Sequence, residues 1–127
     1  MEKREIKFRA WDEVNKQMTS SFSIKDFGAS DIGELKGIEG FEDCQNFLQT
    51  AIILQFTGLL DRNRKEIYEN DLSKNYYKGQ WVVLQVVWNP LGMWSVKWKD
   101  GYINNYHINN KNMEIIGNIY ENPELIK

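Results

Sequence analysis

The chain has 127 residues, 42% hydrophobic and 27% charged, with 16 Lys+Arg against 18 Asp+Glu and a single cysteine. That length suits one compact domain or two very small ones, and a chain of this size buries roughly two-thirds of its unfolded surface, so its core needs neither disulfides nor a structural metal. Cys44 alone excludes a disulfide framework, no run approaches ~18 continuous apolar residues, and no charged start leads into an apolar stretch, so the expectation is a soluble protein of a reducing cytoplasm.

Ile6, Phe8 and Ala10 alternate with Lys7, Arg9 and Trp11, and this period of two predicts a half-buried strand over about residues 4–11. After a turn at 12–16, a second strand over roughly 17–24 pairs back as a hairpin, with Met18, Phe22 and Ile24 as its apolar positions. Residues 26–49 carry Gly28, Gly33, Gly37 and Gly40 among acids and read as a loop-rich connection with one helical turn near 41–48. Residues 51–56 are almost uninterrupted apolar, which predicts a buried strand ended by Thr57 and Gly58. The polar turn Asp61, Arg62, Asn63, Arg64 follows, and the domain seam is placed there, giving an N-terminal β portion over 1–60 and a second domain over 61–127.

From Gln80 the chain reads as strands at 81–88, 93–99 and 102–108, separated by Asn89-Pro90-Leu91-Gly92 and Asp100-Gly101, with a further strand at 113–116. Asp100-Gly101 is the clearest hairpin signal, because glycine tolerates the positive φ of a two-residue primed turn. Asn122-Pro123-Glu124-Leu125 predicts a capped single helical turn with proline first. Short strands joined by tight turns predict a mainly-β chain ending in a small barrel or sandwich.

Charge and aromatics are unevenly spread. Residues 72–113 hold Lys74, Lys78, Lys97, Lys99 and Lys111 against only Asp100, a local charge of +4 in a chain of net charge −2. Eight of the eleven Trp and Tyr residues share that window: Tyr76, Tyr77, Trp81, Trp88, Trp94, Trp98, Tyr102 and Tyr106.

Three blocks carry a family resemblance. Arg4-Glu5-Ile6-Lys7-Phe8-Arg9-Ala10-Trp11-Asp12 with Met18, then Leu54-Gln55-Phe56-Thr57-Gly58-Leu59 through Asp61, Lys65-Glu66-Ile67-Tyr68-Glu69 and Asp71, and finally Ile115-Ile116-Gly117-Asn118-Ile119-Tyr120-Glu121-Asn122-Pro123-Glu124-Leu125 together resemble the YopX family of small phage and prophage proteins. The resemblance implies an N-terminal β portion, a C-terminal SH3-like barrel, and residence in a host cytoplasm during infection or lysogeny. It supplies no catalytic residues. The chain departs from the family pattern at Arg64, where the family has glycine after asparagine, and at Asn70, where it has glycine before Asp71.

Acid–base machinery is sparse. His107 is the only histidine, so a Cys44/His107 pair is the sole nucleophilic arrangement to weigh, against an ordinary buried thiol and an ordinary sheet histidine. One thiol and one imidazole do not make a zinc site. Glu69 and Asp71 would share a face of an extended segment, but Asp71 is better read as preceding a strand and capping the turn by accepting backbone N–H bonds. No Walker loop, G-x-G-x-x-G or nucleophile elbow occurs.

In the run 93–99, Trp94, Val96 and Trp98 are expected inward and Ser95, Lys97 and Lys99 in solvent. The candidate ligand-binding set is Tyr76, Tyr77, Trp88, Trp98, Lys97, Lys99, Tyr102, Asn104, Tyr106 and His107: rings to stack on a base, ammonium groups for phosphate, amides to read ligand edges. The expectation is a non-enzymatic phage accessory protein, without cofactor or membrane, that acts as a homo-oligomer. As a counter-defence factor it would sequester a nucleotide-like small ligand or block a host protein. The alternative is a nucleic-acid-binding module on the same aromatic and basic face, against which a pI near 5.5 weighs.

Overall fold

The computed structural model describes residues 5–23 and 51–127 of the chain. Ile24, the predicted helical turn at 41–48 and Cys44 lie outside the described residues. Two compact units are found, Met1–Phe56 and Thr57–Lys127. The described structure is mainly β, as expected, with curled sheets that form half-barrels.

In the first unit β1 (Lys7–Asp12) lies between two partners. On one edge it pairs with the two short strands β2 (Gln17–Met18) and β3 (Phe22–Ser23), and on the other with β4 (Ala51–Leu60), all antiparallel. The predicted single return strand is thus two pieces, broken where Thr19 turns inward. Its Oγ1 accepts from the Ala10 N–H at 2.9 Å while its own N–H donates to the Ala10 carbonyl. Ala10, Phe22, Leu54 and Phe56 are buried, with the Phe8 and Phe22 ring centroids 6.2 Å apart. Trp11 is buried too, against the simple alternation, and its Nε1 donates to Glu13 at 2.6 Å.

Asp12 closes the β1–β2 turn by accepting from the N–H groups of Val14 and Asn15 and from the Asn15 amide. Partial burial pushes its carboxyl up, but these bonds outweigh burial and hold it below the usual aspartate value.

The strand expected to stop at Thr57-Gly58 continues to Leu60. Gly58 keeps it going at φ 87°, a conformation open to glycine, and the last four residues of β4, Thr57–Leu60, belong to the second unit. Nor is its first half buried throughout, since Ile52 and Ile53 are 36% and 43% exposed.

The second unit centres on a four-stranded antiparallel sheet ordered β8-β7-β6-β9, built from β6 (Asp71–Tyr77), β7 (Gln80–Trp88), β8 (Trp94–Lys97) and β9 (Glu114–Asn118). Short β5 (Glu66–Tyr68) neighbours β4. A bulge between Leu72 and Ser73 shifts the β6–β9 register, which bends and twists the strand. Ile67, Leu84, Val86, Trp94, Val96, Ile108, Met113 and Ile115 form one core cluster on the concave side.

Turn chemistry fixes these strands. Asp61 is 5% exposed; its Oδ1 accepts from the N–H groups of Asn63 and Lys65, and its Oδ2 accepts from that of Ile115 at 2.8 Å, so one carboxylate joins the turn to β9. Asp71 Oδ2 accepts from the Tyr68 N–H at 2.8 Å, the turn role expected of it.

Arg64 and Asn70, standing where the family has glycine, both lie at φ 66°. Asn70 is well suited to that geometry and also bonds Tyr120 and Gln85 through its amide, whereas Arg64 carries the left-handed strain with no such amide.

Three further expectations are corrected. Residues 102–108 do not form a strand; they follow β8 through scattered bonds, Asn104 N–H to Val96 and Ile108 N–H to Trp94, and a single bridge at Ile103. Asp100-Gly101 is not a two-residue primed turn. Gly101 alone is left-handed, at φ 97°, and the loop is closed by the Gly101 N–H donating to Trp98 and the Trp98 N–H donating to Tyr102. The two-residue turn is Lys78-Gly79, with φ of 47° and 84°, joining the long strands β6 and β7. The closing turn at Pro123–Ile126 is a 3-10 turn with proline at its start, without a side-chain cap; Asn122 Oδ1 instead accepts from the Asn118 N–H.

Candidate functional site

Antiparallel register divides the second unit's sheet into two faces, because residues directly opposite each other share a side. Asn75 stands opposite Val82, Ser73 opposite Leu84, Val86 opposite Val96 and Trp88 opposite Trp94, and this is the concave face. Tyr76 opposite Trp81, Lys74 opposite Val83 and Gln85 opposite Lys97 make up the other.

A cavity of about 230 Å³ opens on the concave side. Its floor is Leu84, Val96, Ile108 and Met113, and its walls are Tyr76, Tyr77, Trp98, Tyr106 and His107, with the amides of Asn75, Asn104, Asn109 and Asn112. Trp98 is fixed on two sides. Its ring meets that of Tyr77 edge to face at 5.0 Å, and its Nε1 donates to Asn104 Oδ1 at 3.0 Å.

Asn104 is itself 6% exposed and its backbone is tied down, its N–H donating to Val96 and its carbonyl accepting from the Asn89 amide. With Oδ1 taken by the indole, the amide nitrogen is left as the donor of this side chain. Ser95, expected in solvent, is fully buried; its hydroxyl lies 2.7 Å from the Tyr106 carbonyl and 3.0 Å from that of Asn104, so it clips the 102–108 segment against β8. His107 Nδ1 lies 2.9 Å from the Ile108 carbonyl, which can only accept, so Nδ1 is the donor in that contact and Nε2 is the ring nitrogen left to a ligand.

Of the candidate set, Tyr76, Tyr77, Trp98, Asn104, Tyr106 and His107 come together in this cavity. Lys97 and Lys99 do not; with Val83, Gln85, Ile126 and the other side of Trp98 they line a separate depression of about 120 Å³. Trp88 is 53% exposed beside Trp94 and Tyr102 is 58% exposed at the Gly101 loop, both outside the cavity. Asn75 and the apolar floor were not singled out by sequence. Asn75 lies on β6, the strand expected after Asp71 but without stated bounds.

Among the described residues no cluster of His, Cys, Asp or Glu is arranged to hold a metal ion, and no helix is long and apolar enough to cross a membrane.

The fold and cavity define a small, curled all-β protein with an aromatic, amide-lined recess. The chain belongs to the YopX family, whose model, described as YopX protein, matches residues 7–127. It is similar in fold to the crystal structure of protein EF1440 from Enterococcus faecalis, at 21% identity over 96% of this chain and 98% of that one, with a TM-score of 0.54. No curated protein matches the chain.

Proposed function

We propose that the chain is a non-enzymatic binding protein that holds the ring of a nucleotide-like small molecule in the Trp98 cavity. The observation that carries this reading is the indole of Trp98, fixed by Tyr77 and by the buried Asn104 amide beside a recess with an apolar floor. A planar heterocycle stacks on such rings, at about 1–3 kcal/mol per base in aromatic sites. The amides of Asn75, Asn104, Asn109 and Asn112 and the His107 ring nitrogen are suited to its edge donors and acceptors.

Size and charge sharpen the ligand. About 230 Å³ is below the ~300–1,000 Å³ of pockets that enclose drug-sized molecules, so a base enters while sugar and phosphate stay outside. Among the described residues no lysine or arginine lines the recess, which favours a ligand whose ring rather than phosphate sets affinity. The phage setting implied by the family gives such capture a use, the removal of a nucleotide signal on which a host depends.

The test is titration of the full chain with cyclic and adenosine-containing nucleotides, their nucleosides and their free bases, followed by tryptophan fluorescence and calorimetry. Saturable binding in which nucleoside and nucleotide differ by less than about tenfold supports the reading, and Trp98→Ala should weaken it at least tenfold, the loss of one stacking contact. Flat titrations across the panel overturn it.

A further inference from the structure

We infer that the outer face of β6, β7 and β8 is a second site, meeting the cavity only at Tyr76 and Trp98, that holds a short run of single-stranded nucleic acid. Tyr76 and Trp81 are directly opposed there, 62% and 52% exposed, with ring centroids 5.0 Å apart and edge to face. Lys74 Nζ lies 4.6 Å from the centre of the Trp81 ring, and Lys97 and Lys99 border the shallow depression further across the face.

Charge selects an anion. The outward positions of these strands carry lysines and no carboxylate, and the nearest acid in register, Glu114 opposite Lys74, is engaged by Arg62 at 3.3 Å. Ring geometry then selects a single strand over a duplex. Exposed aromatic faces interleaved with ammonium groups match unpaired bases interleaved with phosphates, whereas a duplex hides its base faces and needs more phosphate contacts than three lysines supply. A base stacking on Trp81 displaces the Lys74 ammonium toward the adjoining phosphate, because base–ring stacking outweighs a cation resting on an exposed ring.

The experiment is fluorescence titration of the full chain with a twelve-residue oligothymidine. Tryptophan quenching is expected, with affinity falling roughly twentyfold between 50 and 200 mM salt, the slope for about three neutralised phosphates of a single strand. Trp81→Ala should weaken binding about tenfold, and Lys97→Gln combined with Lys99→Gln should flatten the salt dependence; circular dichroism checks that each variant keeps its fold. Absent quenching, salt-independent affinity, equal affinity for a duplex of the same length, or an unaffected Trp81→Ala protein each overturns the inference. A chain that binds nucleosides but not the oligonucleotide overturns this site while leaving the cavity reading intact.

Discussion

The two faces of the second unit's sheet are made from the same strands, yet they are different surfaces. The concave face buries Leu84, Val86, Val96 and Met113 and surrounds a recess walled by rings and amides, with no lysine among the described residues that line it. The outer face holds Trp81 and Tyr76 in solvent beside Lys74, with Lys97 and Lys99 further across it. Side chains alternate across a strand, so residues that are neighbours in sequence, such as Val96 and Lys97, need not serve one site. A concentration of aromatics and lysines in one segment therefore describes two surfaces, one suited to a ring and one to a chain of rings and phosphates.

Stability measurements can break this comparison. The largest effect is expected at Met113, 1% exposed and common to the core and the cavity floor, where Met113→Ala should cost about 3 kcal/mol in denaturant unfolding of the second unit. Next comes Asn104→Ala, at about 2 kcal/mol, because it leaves the half-buried Trp98 indole N–H without its acceptor. It should also weaken nucleoside binding by freeing Trp98 to turn. Trp81→Ala should cost only about 1 kcal/mol, the combined loss of its edge contact with Tyr76 and the Lys74 cation above it. If Trp81→Ala proved as costly as Met113→Ala, the outer face would be core and the distinction between the faces would fail.

How much of this was legible depends on which physics decides each element. Patterned segments with a strong local signal read well: β1, β7, β9 and the polar turn at Asp61 lie near their expected places. β6 was foreseen only as a strand of no stated bounds after Asp71, because Ser73, Lys74 and Asn75 look like loop residues. Asp71 and Ser73 are nonetheless buried, Asp71 by accepting from the Tyr68 N–H and Ser73 by donating to Asn75 Oδ1 at 2.6 Å. The segment after Gly101 failed in the opposite direction. Tyr102 to Ile108 has strand-like residues, but Ser95 pulls its carbonyls toward β8 and leaves only one bridge. For the site, the residue types were legible and their partition was not, since it rests on the register of β6, a strand foreseen after Asp71 but with neither bounds nor pairing. The left-handed positions were half legible. The family's glycines marked Arg64 and Asn70, while nothing marked Lys78.

Lys78 provides the smallest and sharpest test of the comparison, because the turn it opens sets which face each ring takes. Tyr76 and Tyr77 precede it, the first against Trp81 and the second against Trp98, and a one-residue slip of register would exchange them. At φ 47° a lysine pays left-handed strain that asparagine bears more easily, and Asn-Gly is the favoured pair for a two-residue primed turn. Lys78→Asn should relieve about 1 kcal/mol of that strain. It also removes an ammonium 5.3 Å from the Tyr77 ring centre, a contact of about 0.5 kcal/mol at an exposed site, which leaves a net stabilisation of about 0.5 kcal/mol. Deleting Lys78 should do the reverse, forcing the slip that turns Tyr77 away from Trp98. Tryptophan emission and nucleoside affinity should then change together in the deletion and stay as they are in Lys78→Asn; a deletion protein with unaltered emission and affinity would mean that the turn does not assign the faces.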